Sequence, residues 1–286
     1  KQTINFINKE FNTENNLLGS AFDADSEGIE GKYYVWKYDE LFKLLGDDLK
    51  TFNLKYDVTK DGNFESSNIL VQKENINLNE IDEIKIKELE IKLLTERKKR
   101  IKPFFDNKIQ TDLNCYWLYS NLYSSLILED NELLDQTNKK IEFLKNKLSK
   151  KIFHCYDKND DEIDVFLEDY VYFGLLLISD YEINNNKKSL SKCMEIMEIA
   201  WKLFFNEENN LLQKNKIKDN DLFTNPVDIT DNNIPNGNSI YFSVINKLYD
   251  ITENASLKEK LIKLSQSFHA FINTNFSQMF SYYKSL

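Results

Sequence analysis

The chain has 286 residues, 41% hydrophobic and 13% aromatic, enough to bury a sizeable core in one large domain or two ordinary ones. A net charge of −10 argues against a nucleic-acid partner, whose phosphates need clustered Lys and Arg to displace condensed counterions. Seven Gly and three Pro leave little room for a β-rich architecture.

The opening "KQTINFINKEF" lacks an initiator Met, a basic n-region and an apolar h-region, and reads as a cut into a longer polypeptide inside a helix. Next comes "AFDADSEGIEGKYYVW" (21–36), which packs Asp23, Asp25, Glu27 and Glu30 ahead of an aromatic run. Apolar residues then recur at three- and four-residue steps over 38–46, 79–101, 113–128, 131–148, 166–182, 190–205, 239–252 and 257–276, predicting helices. Short extended pieces are expected at "KYYVW" (32–36) and "NILV" (68–71), where β-branched and aromatic residues cluster. The basic run "ERKKR" (96–100) sits among Glu residues and reads as a solvated helix face. "VYFGLLLIS" (171–179), fenced by Asp169 and Asp180, is too short to span a bilayer and reads as a buried helix, so no membrane partner is expected. Cys115, Cys155 and Cys193 form no C-x-x-C pair; a reducing, cytoplasmic setting fits them.

One internal echo bears on the architecture. "FNTENNLL" (11–18) returns as "FNEENNLL" (205–212), each directly after an amphipathic helix, and a weaker copy, "IFHCYDKNDDE" (152–162), follows the helix ending near Lys151. Helix, polar turn, short extended return and next helix is the signature of stacked αα-hairpins. The expected fold is all-α, an α/α toroid of the six-hairpin glycosidase-like kind, incomplete, with short β-hairpins between helices. An irregular helical bundle with a chance echo is the competing reading.

The acidic stretch fails as a calcium loop: Asp23, Asp25 and Gly28 fall at positions 1, 3 and 6, but position 5 is Glu27 and position 12 is Tyr34. The two histidines, His154 and His269, are far apart in sequence and each alone, so no metal site and no cofactor is expected. If residues 22–26 are extended, Asp23 and Asp25 share a face at roughly 6–7 Å, a spacing compatible with acid/base work on a sugar and equally with a plain turn.

The blocks "SAFDADSEGIEGKYYVW", "LLGDDLKTFNLKYDVTKDGNFESSNIL", "RKKRIKPFFDNKIQTDLN", "FLEDYV" and "DNNIPNGNS" stand in an order and at separations that resemble the thioredoxin-domain-containing family represented by spermatogenesis-associated protein 20. In that family a thioredoxin-like domain precedes a six-hairpin toroid similar to those of N-acylglucosamine 2-epimerases and glycosidases. The resemblance covers most of residues 10–245. It implies that residues 1–286 are the C-terminal portion of the toroid, without the thioredoxin-like domain and the first hairpins, and that the edge hairpins present apolar surface. The family block D-D-K-x-x-T-x-W-N-G is altered here: Asp106, Lys108, Thr111 and Asn114 stay, while Leu113 and Cys115 replace Trp and Gly. Leu113 cannot stack on a pyranose; Trp117, four residues on, is either a substitute platform or a core residue.

The resemblance groups Asp23, Asp25, Glu168 and Asp169 as candidate catalytic residues. Glu27, Asp106, Lys108, Asn114, Trp117, Tyr170, Asn238 and Ser239 are the candidate substrate-binding residues around the same cavity. Each has a structural alternative: Glu168 and Asp169 as acids favoured in a helix's first turn, Asn238 or Ser239 as an N-cap. Two functions compete, a carbohydrate-type ligand-binding toroid serving the thioredoxin-like domain of the same polypeptide, and an active epimerase, isomerase or hydrolase. Epimerases with this toroid are expected to use histidine bases, and neither histidine here lies in a family-like motif. The altered Trp-Asn-Gly block tips the reading toward binding, with a small sugar-like ligand as the partner.

Overall fold

The computed structural model describes residues 1–14, 16–156, 165–216 and 225–286. Its contacts divide the chain into two compact units, Lys1–Ser20 with Asn107–Leu286, and Ala21–Asp106.

After α1 (Gln2–Glu10), the Ala21–Asp106 unit begins with β1 (Ala21–Phe22), β2 (Asp25–Ser26) and β3 (Ile29–Glu30). It continues with α2 (Tyr38–Leu45), α3 (Leu49–Lys55) and α4 (Glu80–Arg97) and closes with β4 (Phe105–Asp106), antiparallel to β1. β2 and β3 form a hairpin whose central residues, Glu27 and Gly28, both have positive φ, the geometry that matches strand twist in a two-residue loop. "KYYVW" is mostly turn; only Trp36 bridges, to Asn68 of "NILV". A core of Trp36, Leu41, Leu45, Leu49, Phe52, Val58, Leu89 and Leu93 holds this unit. The basic run is only partly a solvated face, because Arg100 stacks on Trp36 at 4.0 Å. It donates to the carbonyls of Tyr33 and Val35 at 3.0 and 2.8 Å and to Glu40 at 2.7 Å.

The other unit continues through β5 (Ile109–Gln110), α5 (Thr111–Ile127), α6 (Asn131–Lys147), β6 (Cys155–Tyr156), α7 (Leu167–Asn184) and α8 (Lys187–Phe204). Then come β7 (Phe205–Asn206), β8 (Leu211–Leu212), α9 (Gly237–Thr252), α10 (Ala255–Asn275) and α11 (Phe280–Lys284). The eight helices expected from periodicity are all present; α3 and α11, short and weakly patterned, were not foreseen. Helix α7 packs on α5, α8 and α9, while α6 and α10 pack on their hairpin partners α5 and α9. Three consecutive αα-hairpins with α5, α7 and α9 side by side constitute part of an α/α toroid, with short β pairs between helices. Residues 171–178 of α7 are buried on every side, which explains their unbroken apolar run. Gly174 lets α8 approach: a Cβ there would lie 2.3 Å from Met197 Cε. Buried Asp180 is satisfied by Lys145 at 3.2 Å, Asn186 at 3.0 Å, Asn184 at 2.8 Å and Ser189 at 2.5 Å, tying α6 to the α7–α8 turn.

The echo occupies equivalent turns. Leu18 exchanges hydrogen bonds with the Asn114 side chain of α5, donating N–H to Oδ1 at 2.8 Å and accepting from Nδ2 at 3.0 Å. Leu212 does the same with Asn238 of α9, both at 2.8 Å. The pairing differs by one residue, since Leu18 bridges Asn12 whereas Leu212 pairs with Phe205. The third copy, after α6, is described only as far as β6, which pairs with β5; its remainder lies outside the described residues. Among the described residues no helix is long and apolar enough to cross a membrane.

Candidate functional site

Helices α5, α7 and α9 bring their N-termini together. The first residue of α5, Thr111, is pinned to residues 153 and 154: its N–H donates to the His154 carbonyl at 2.9 Å and its hydroxyl to the Phe153 carbonyl at 2.6 Å. The His154 ring stands edge-on to Phe166 at 4.8 Å between centroids. Its Nδ1 lies 3.0 and 3.2 Å from the Asp169 carboxylate oxygens, and its Nε2 lies 3.3 Å from Gln110 Nε2. Asp169 Oδ2 also accepts the Phe166 N–H at 2.8 Å, so this carboxylate caps α7 while gripping the histidine. Asp112, on the first turn of α5, accepts the Leu113 N–H at 2.7 Å. One ligand-type atom from each of Asp112, His154 and Asp169 lies within 4.8 Å of the other two.

The third terminus closes in through Gly237, the first residue of α9, where a Cβ would stand 2.9 Å from Leu167 Cδ2 and 3.2 Å from Glu168 Oε1. Asn236 caps this helix, its side chain accepting the Ser239 N–H at 2.9 Å and donating to Asp231 at 2.9 Å and to Ser239 Oγ at 2.8 Å. Glu168 Oε2 is buried and has no hydrogen-bond partner.

Burial sets the proton affinities. It pushes the Glu168 carboxyl up to about 7 and the Asp169 carboxyl up to about 6, the contact with His154 opposing the rise. The hydrogen bond to Asp169 raises the His154 imidazole above its ordinary value against desolvation. Desolvation also raises Asp112. Three converging helix N-termini supply the positive ends of backbone dipoles that make so many acids tolerable in one place.

The residues foreseen from sequence are distributed unevenly. Glu168 and Asp169 lie at this convergence, with Asn238 one residue beyond Gly237. Asn114 and Asn238 have committed their amides to backbone, for beside the two leucines Asn114 donates to the Gln110 carbonyl at 2.9 Å and Asn238 to the Asp228 carbonyl at 3.0 Å. Ser239 is fully buried on its cap, which belongs to Asn236 and not to Asn238 or Ser239 as expected. Tyr170 is buried edge-on to Phe204 at 5.6 Å, a core position. Trp117 is half-buried and its Nε1 has no partner.

Asp106 pairs with Ala21 across β1 and β4, and the exposed Lys108 accepts the Ser20 hydroxyl on its carbonyl at 2.7 Å. Asp23, Asp25 and Glu27 belong to the Ala21–Asp106 unit and are exposed; the segment 22–26 is broken, Asp23 Oδ1 accepting the Asp25 N–H at 3.2 Å. Glu27 is ion-paired with Lys32 at 2.9 Å.

Sequence reasoning missed His154 and Asp112. Isolation in sequence spoke against His154, yet it sits in the turn after α6, where the echo places a loop returning to an inner helix. Asp112 lay two residues from Asn114 inside a block already singled out.

No protein-family model matches the chain. An uncharacterized protein of Caenorhabditis elegans is 23% identical over 283 residues, covering 84% of this chain and 38% of that protein. The chain thus spans well under half the length of the curated relative it matches. Among solved structures, a cellobiose 2-epimerase from Bacillus thermoamylovorans aligns over 55% of this chain and 43% of its own, at 16% identity and a TM-score of 0.43. An inactive α-1,6-mannanase variant of a Salegentibacter species, in complex with α-1,6-mannotriose, aligns over 80% and 70%, at 13% and 0.41. A family 105 glycoside hydrolase of C. acetobutylicum aligns over 96% and 72%, at 13% and 0.44. These values describe partial likeness of chain path and nothing of chemistry.

Proposed function

We propose that the convergence of the α5, α7 and α9 N-termini is a binding site for a small carbohydrate-type ligand. The observation that carries this reading is Glu168 Oε2, a buried carboxylate oxygen with no hydrogen-bond partner, at the point where the three helix N-termini meet. Polyhydroxyl ligands suit such a place, because a sugar hydroxyl satisfies an orphaned acceptor while neighbouring carboxylates accept hydrogen bonds from further hydroxyls. Asp23 and Asp25 are left out of the ligand set, since both are exposed and Asp23 is turned onto its own loop. The resemblance to the thioredoxin-domain-containing family supports a role beside a thioredoxin-like domain of the same polypeptide, in the cytoplasm.

A panel of mono- and disaccharides in a thermal-shift screen tests the proposal. At least one sugar raises the melting temperature of the parent protein, and Glu168→Gln, with its fold verified by circular dichroism, loses that protection. Absence of any sugar effect, or protection unchanged in the variant, refutes it.

A second reading, an active epimerase or isomerase, is favoured by the His154–Asp169 pair, an imidazole already held by a carboxylate as proton-abstracting histidines are. It predicts deuterium uptake from D2O at the carbon next to the carbonyl of a reducing sugar, lost in His154→Ala. A parent protein that binds sugar without exchange leaves the binding reading alone.

A further inference from the structure

The Asp112, His154 and Asp169 cluster is more elaborate than a helix cap requires. Capping α7 needs one acceptor, which Asp169 supplies to the Phe166 N–H. The cluster adds a second carboxylate from another helix and an imidazole from a turn, and both carboxylates are at least nine-tenths buried. Asp112, Asp169 and the neighbouring Glu168 share one imidazole, with Lys214 opposing their charge through space, so acids outnumber bases here.

We infer that Asp112, His154 and Asp169 bind one divalent transition-metal ion. The assignment does not rest on the sugar reading. One imidazole nitrogen with two carboxylate oxygens is a borderline donor set, suited to Zn2+ or Mn2+, and it leaves coordination positions for water or for ligand oxygens. Donor atoms about 2.0–2.2 Å from a shared ion stand at most ~4.4 Å apart. The three atoms already fall within 4.8 Å of one another, so closure needs little movement.

The surrounding bonds are those a metal centre uses. Leu113 N–H orients Asp112 and Phe166 N–H orients Asp169, each leaving carboxylate capacity for the ion. With Nδ1 as the ligand, Nε2 keeps its proton and donates a hydrogen bond to the Gln110 side chain, whose amide then presents oxygen in place of nitrogen; amide orientation follows the hydrogen-bond network. Binding exchanges the His154–Asp169 hydrogen bond for two metal bonds and releases to solvent any proton that Nδ1 carries.

The test uses the whole chain, stripped with EDTA and dialysed. Co2+ is titrated in while visible d–d absorption is recorded, and Zn2+ is titrated in a calorimeter. One ion per chain is expected, at micromolar affinity or tighter. His154→Ala and Asp112→Asn each weaken it at least tenfold, and Gln110→Ala, which touches no ion, weakens it roughly tenfold through the orientation of His154. Circular dichroism selects the variants that fold, and Asp112→Asn, which keeps the shape of the buried side chain, decides the matter if His154→Ala does not. No binding up to millimolar metal overturns the inference. So does binding that survives these changes, or that is lost in Asp25→Asn instead, which would assign the ion to the exposed acidic loop.

Discussion

Replacing Glu168 by Gln should make the metal-free protein more stable at pH 8 and leave it unchanged near pH 4.5. Burial raises the carboxyl from 4.5 to about 7, so between those values the native state holds a proton that the unfolded chain has released. Stability from this group is therefore fully present below pH 4.5 and declines as pH rises through 7. The rise from 4.5 to about 7, at 1.36 kcal/mol for each tenfold change in proton affinity, corresponds to roughly 3 kcal/mol, and partial exposure of the side chain reduces this to about 2 kcal/mol. Gln has nearly the same shape and stays neutral, so it escapes the whole decline. Urea unfolding in EDTA at pH 4.5, 6 and 8 reads the difference, and a melting-temperature gain of about 4 °C at pH 8 should accompany it. Equal stability of parent and variant at pH 8, or parallel pH slopes, would refute the burial argument.

Asn114→Ala and Asn238→Ala should each cost about 3 kcal/mol by urea unfolding, because each removes three hydrogen bonds and strands the N–H and C=O of a leucine; a cost below 1 kcal/mol at one site only would break the equivalence of the two turns. Gly237→Ala should destabilise by about 1–2 kcal/mol, since its methyl would meet Leu167 at 2.9 Å, and should weaken sugar protection more than it lowers the melting temperature; an unaffected ligand shift would mean that Glu168 does not face the ligand. Arg100→Lys should cost about 2 kcal/mol in the Ala21–Asp106 unit by losing the stack on Trp36 and its forked donation, seen as an earlier fluorescence change of Trp36 than of Trp117 and Trp201, each read in a variant that keeps that tryptophan alone; coincident shifts at all three tryptophans would show that the two units melt as one.

Periodicity made the helices legible because each long helix buries one stripe, and α7, buried all round, announced itself as an unbroken apolar run instead. The echo was legible for a different reason: a turn closed by an inner-helix asparagine tolerates few sequences, so two such turns kept the same letters. The bounds of the Ala21–Asp106 unit were not legible, because its α2 and α4 carry the same period as the other helices, and nothing in a period tells which core a helix serves. At the site, Glu168 and Asp169 were visible as acids ahead of an apolar run. His154 was not, since its meaning lies in Asp169 and Asp112, 15 residues ahead and 42 behind, brought close only by the hairpin geometry. The acidic loop at 21–31 drew attention by density of charge, which a solvated hairpin displays as readily as a ligand site.

Helix α7 also fixes the order in which the protein can loosen. With residues 171–178 sealed by neighbours on every side, their amides should exchange with deuterium last, after those of α1 and α11, whose helices bury at most one residue. Glu168 and Asp169 ride on the first turn of that slowest element, whereas Asp112 and Gly237 arrive on the ends of its two flanks. Transient opening of either flank would carry away one wall of the site and leave the acids where they are. Ligand capture and release would then be timed by the breathing of α5 or α9 against a stationary α7.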